Sequence, residues 1–165
     1  MKALVFVALL LIGCASTQST VAASKPDPDL DYFVGNWVIN GEDPSSGKKF
    51  TLNYRIEPAL DGVWLSGFAE SSSMPLKIRD FWGHDPATKG LVRIIVDSGA
   101  NHGVARAAGW QGDTLLFEGI AHGSDGELNV RETITKVSAS EFKAVWEAKL
   151  EKGWTAYSIE HLQRQ

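Results

Sequence analysis

Along Lys49–Glu57 the side chains change character at every residue, with Phe50, Leu52, Tyr54 and Ile56 alternating against Thr51, Asn53, Arg55 and Glu57. A period of two is the signature of a strand with one face in a core and the other in water. The pattern recurs at Glu141–Leu150, where Phe142, Ala144, Trp146, Ala148 and Leu150 oppose Glu141, Lys143, Glu147 and Lys149. Glu, Lys, Ala and Leu are good helix formers, but a 3.6-residue period would scatter the five apolar residues around the cylinder, so the strand reading prevails. Between these segments, Asp80–Asp97 reads as two extended runs joined by a polar turn. Asp85-Pro86 opens that turn, Gly90 closes it with a positive φ, and Val92, Ile94 and Val96 face away from Arg93.

Turn signals divide the rest of the chain in the same way. The expected strands are Gly35–Ile39, Lys49–Glu57, Val63–Glu70, Leu76–His84, Leu91–Val96, His102–Trp110, Asp113–Ala121, Glu127–Val137, Glu141–Leu150 and Trp154–Leu162. Leu30–Phe33 is expected as a helical turn at the barrel mouth, and Gln111-Gly112 as a two-residue hairpin. Short connections imply antiparallel neighbours, and no segment suits a helical crossover between parallel strands. The fold expected is all-β: an antiparallel up-and-down barrel of about ten strands, which closes on itself and leaves no sticky edge. With 165 residues, 44% of them hydrophobic, the chain suffices for one such domain over residues 30–165.

The N-terminus reads as an export signal. Met1-Lys2 is a minimal positive region, and Ala3–Ile12 is an apolar run too short to span a bilayer. Leu11-Ile12-Gly13-Cys14 resembles the bacterial lipobox, and Cys14 is the chain's single cysteine. That resemblance implies cleavage of residues 1–13, lipidation of Cys14 and a cell-envelope lipoprotein anchored to a membrane and facing the periplasm. An ordinary signal peptide cut after Ala23, giving a soluble periplasmic or secreted protein, is the alternative. Residues 14–29 are small, polar and proline-bearing, and read as a tether. With no second cysteine, a disulfide cannot contribute to stability despite the oxidising compartment.

The formal net charge is −4, with acidic and basic residues scattered, which argues against a nucleic-acid partner. The barrel pattern looks like the calycins: lipocalins, fatty-acid-binding proteins and nitrobindin-like haem barrels. Gly35-Asn36-Trp37 resembles the lipocalin Gly-x-Trp motif, whose Trp packs across the closed end. Together with Leu60-Asp61-Gly62 and Gly83-His84-Asp85-Pro86-Ala87-Thr88-Lys89, it also resembles the bacterial family called domain of unknown function 1579. In that family an aromatic stands where this chain has His84. The resemblance implies the barrel fold and leaves the activity open.

A barrel of this size can hold one small ligand. Candidate site residues are polar or aromatic side chains on apolar faces: Asp80, Trp82 and His84 on the fourth strand, Arg106 on the sixth, Glu132 on the eighth and Tyr157 on the last. Inside a lumen, Arg106 paired with Glu132 or Asp80 would orient a ligand carboxylate or hydroxyl, since buried charge persists only when paired. The bland reading of each is a structural salt bridge or an outward side chain displaced by a bulge. The six Trp residues read as core.

His84, His102, His122 and His161 lack metal-ligand spacing, so no metal is expected. No cofactor is expected either, although His161 lies about where nitrobindin-like barrels place an axial haem ligand. No Gly-x-Ser-x-Gly elbow appears. Three functions remain: binding of a small apolar or amphipathic ligand; an isomerase or hydrolase using Glu132, Arg106 and His84; or a structural or partner-binding envelope domain whose lumen is filled by its own aromatics.

Overall fold

The computed structural model describes residues 29–165. The expected cleavage site, the expected lipidation site Cys14 and all of the expected tether except Asp29 lie outside the described residues. Ten strands follow in order: β1 (Gly35–Asp43), β2 (Lys48–Ala59), β3 (Trp64–Glu70), β4 (Lys77–Asp85), β5 (Gly90–Asp97), β6 (His102–Ala107), β7 (Thr114–Gly123), β8 (Gly126–Ser138), β9 (Glu141–Leu150) and β10 (Gly153–Arg164). Each pairs antiparallel with its chain neighbours, and β1 pairs with β10 to close the barrel. The closing register sets Trp37 opposite Arg164 and Ile39 opposite Leu162. The up-and-down architecture expected from the alternation is the one observed.

One end is plugged by aromatic rings. A 3₁₀ turn at Asp31–Phe33 carries Phe33 into the core, where it stacks on Trp82 at 4.8 Å and meets Phe142 edge-on at 5.4 Å. Trp37 packs edge-on against Phe142 at 4.8 Å, and its indole nitrogen donates to the Phe33 carbonyl at 2.8 Å. Arg164 covers the Trp37 ring at 4.2 Å while donating to the carbonyls of Val34 and Tyr32. Trp37 therefore holds the closed-end position that the Gly-x-Trp resemblance implies.

Several local expectations are corrected. β6 stops at Ala107, because Ala108 and Gly109 leave the ladder and Gly109 takes φ +112°. Trp110 is thereby released to stack on Phe33 at 5.7 Å and to donate to the Asp29 carbonyl at 2.8 Å. In the β4–β5 turn the positive φ falls on Lys89 (56°) rather than Gly90. Gly90 is needed for a different reason: a Cβ there would overlap the Ala107 carbonyl across the strand pair. Only Trp37 and Trp82 of the six tryptophans are fully buried. Trp64, for example, lies over the Cα of Gly83, where any side chain would collide with its ring.

Candidate functional site

Above the aromatic plug the barrel is hollow. A cavity of about 440 Å³ reaches the end formed by the β3–β4 and β5–β6 connections, where Leu76, Asp97, Asn101 and His102 line it. Its walls are mainly apolar, with Phe50, Leu52, Ile78, Ile95 and Val130 among them. Phe50 reaches across the inward side of Gly41, where a Cβ would overlap its ring.

The deep part of the cavity carries a charged network centred on Arg93. Its Nε and one terminal nitrogen donate to Asp80 Oδ2 at 3.0 and 2.6 Å. The other terminal nitrogen donates to Glu132 Oε2. The guanidinium also lies 3.9 Å from the Trp82 ring and 5.2 Å from that of Trp146. Asp80 Oδ2 further accepts from the Tyr54 hydroxyl at 2.7 Å, which in turn accepts from the Trp82 indole at 3.3 Å. Asp80, 0% exposed, leaves only Oδ1 without a hydrogen bond, turned toward Gly67, whose missing Cβ makes the space.

Burial works against the Arg93 charge, but the Glu132 and Asp80 carboxylates outweigh it and hold the guanidinium ionised. Burial raises the Glu132 carboxyl above its ordinary value despite the attraction of Arg93. Burial, followed by the Asp80 charge, pushes the Tyr54 phenol well up, so it stays a neutral donor.

A third carboxyl joins from β10. Glu160 Oε1 accepts from the Ser158 hydroxyl at 2.9 Å, and burial together with the nearby Glu132 charge pushes the Glu160 carboxyl up to about 7. A bulge in the β9–β10 register between Ala156 and Ser158 brings Tyr157 and Ser158 both to the cavity.

Of the residues expected at a site, Asp80, Trp82, Glu132 and Tyr157 line the cavity and His84 and Arg106 do not. Arg106 lies on the outer face opposite Val92, and its Nε donates to Asp85 Oδ2 at 3.2 Å. The cause is strand parity: Ala105 and Ala107 point inward on β6, so Arg106 between them points out. His84 sits exposed at the end of β4, with Nδ1 donating to the Gly90 carbonyl at 2.7 Å.

Arg93, which was expected to face away from the core, makes the pairing with Asp80 and Glu132 expected of Arg106. The inward face of β5 carries Arg93, Ile95 and Asp97, while Val96 is exposed. His161 is exposed on the outer face beside inward Leu162, and its Nδ1 lies 4.0 Å from Glu141. A haem inside the barrel would be out of its reach. Among the described residues, no three His, Cys, Asp or Glu side chains are grouped as a metal site.

Sequence reasoning missed Arg93 and Glu160. Ser158, Glu160 and Leu162 alternate inward, so Glu160 was detectable once Leu162 was taken as core.

No family model and no curated protein matches the chain. Among solved structures it is similar to a redesigned β-barrel at 15% identity and TM-score 0.40, covering 86% of this chain and 99% of that one. A second redesigned barrel, solved bound to DFHBI, matches at 16% identity and TM-score 0.40, covering 84% and 100%. A protein of unknown function of the DUF3598 family from Nostoc punctiforme matches at 8% identity and TM-score 0.25, covering 83% and 98%.

Proposed function

We propose that the barrel binds one small apolar or amphipathic molecule in its lumen. The observation that carries this reading is the cavity of about 440 Å³, apolar along its walls and polar at its floor, in a barrel plugged at one end. Ligand pockets have this size and this composition. The lumen is not filled by its own aromatic side chains, which weighs against a purely structural role. The isomerase or hydrolase reading loses Arg106 and His84 from its expected trio, because neither lines the cavity.

Titration of the full chain with N-phenyl-1-naphthylamine, a neutral fluorescent probe, tests the reading. Saturable enhancement at one site per chain is expected, and extraction of the purified protein followed by mass spectrometry should recover a bound molecule. Absence of both would overturn it.

The lipobox-like Leu11-Ile12-Gly13-Cys14 supports an envelope lipoprotein, and the three motifs that resemble those of domain of unknown function 1579, with His84 in place of its aromatic, support a likeness to that family. For the anchor, Cys14→Ser should move the protein from the membrane fraction to the soluble one and abolish lipid labelling. An unchanged membrane fraction would refute the anchor and leave the pocket reading standing.

A further inference from the structure

The lumen's charge balance says more about its occupant than its size does. Among the described residues lining the cavity, the carboxyls are Asp80, Asp97, Glu132 and Glu160, against the single guanidinium of Arg93 and the imidazole of His102 at the mouth. Asp97 belongs to the mouth, where it accepts from the backbone of Gly99 at 2.7 Å and of Asn101 at 3.0 Å. Arg93 has its charge balanced already: Asp80 and Glu132 accept from all three of its nitrogens, and the Trp82 and Trp146 rings lie near the guanidinium. An anionic head group would meet a cation already paired with two carboxylates, and Glu160, which has no cationic partner. A cationic one would meet Glu160, whose hydrogen-bond partners, the Ser158 hydroxyl and the Trp146 indole, are both neutral, with Glu132 nearby.

Resting on the pocket reading, we propose that the occupant is an amphipathic amine: its ammonium sits against Glu160 and Glu132, and its apolar body lies along Phe50, Leu52, Ile78, Ile95 and Val130. The mainly apolar walls lower the local dielectric, where a charge-assisted hydrogen bond exceeds a neutral one. Arg93 then acts as a positioning residue. It holds Asp80 and Glu132 in place without touching the ligand.

The binding is linked to protons. Glu160 faces Glu132 from β8, Arg93 from β5 and Tyr157 from its own strand, and burial with the Glu132 charge pushes its carboxyl up to about 7. An arriving ammonium stabilises the carboxylate, so amine affinity rises with pH through that range. A neutral ligand of the same length has no such dependence.

Competition against N-phenyl-1-naphthylamine on the full chain, using n-octylamine, n-octanol and n-octanoate, reads the preference directly. The amine should displace the probe at a concentration about tenfold below that of octanoate, with octanol between them, and its advantage should shrink from pH 8 to pH 6. Glu160→Gln should bring the amine down to the level of the alcohol while the neutral probe still binds, which shows that the variant is folded. Octanoate binding as well as octylamine, or an amine preference unchanged in the variant, would overturn the proposal and leave the pocket reading intact. Failure of the probe and all three competitors to bind would overturn both.

Discussion

Arg93 is a single residue on which two buried carboxylates depend. Removing it strands Asp80 and Glu132 in an apolar interior, a change that typically costs about 3–5 kcal/mol because an uncompensated buried charge remains. Arg93→Met is therefore expected to lower the stability measured by urea unfolding by that amount at neutral pH. Lys in its place would recover only part of the loss, lacking the planar fork that spans both carboxylates.

Glu160 carries the opposite kind of stability. Its carboxyl rises from 4.5 in the unfolded chain to about 7 in the folded one, so between these values the native state holds the extra proton. The contribution is fully present below pH 4.5 and is lost as pH climbs through about 7. Unfolding at pH 5 and pH 8 should show Glu160→Gln gaining on the natural protein with rising pH, by up to about 3 kcal/mol. A difference that does not change with pH would refute this.

At the scale of the strand, parity decides which side chains meet. In β5 the apolar trio Val92, Ile94 and Val96 looks like the core face, yet Val96 is exposed and Arg93 is buried. The register across the turn held the answer, since pairing Asp85 with Gly90 sets Trp82 opposite Arg93 and hence on one face. Residues directly opposite in a ladder share a side, so counting back from the turn outperforms a count of apolar residues. The β10 bulge is different, because an extra residue leaves no sequence mark.

Close approach between neighbouring strands is the other strand-level requirement. Gly67 on β3 lies opposite Asp80 on β4, and a Cβ there would overlap Asp80 Oδ1 and crowd the Tyr54 ring. Gly67→Ala should cost about 1–3 kcal/mol by overpacking, measured as a shift in the denaturant midpoint at constant slope. The change displaces a buried carboxylate together with its hydrogen bonds, so the upper part of that range is expected.

At the scale of the molecule, the plug and the cavity divide the barrel between stability and space. Trp37→Ala would open a void beneath Phe33 and Phe142 and should cost about 3–5 kcal/mol. Filling the cavity tests the other half. Ala69 is buried on its wall beside Tyr54 and Ile78, and Ala69→Phe should lower affinity for N-phenyl-1-naphthylamine at least about tenfold while far-ultraviolet circular dichroism is retained. Full binding by this folded variant would put the probe somewhere other than the lumen.

By itself the sequence determined the architecture: alternation with a period of two, punctuated by short turns, leaves antiparallel neighbours and a closed sheet as the economical outcome. It also marked Asp80, Trp82 and Glu132, since a polar or aromatic residue on an apolar face stands out in one dimension, whereas Tyr157 reaches the cavity through a bulge. Only the tertiary structure decided that Arg93 and Glu160 complete the set and that Arg106, His84 and His161 do not. Which face of a strand is the inside depends on its register against both neighbours, and register is a relation between segments that no single segment contains.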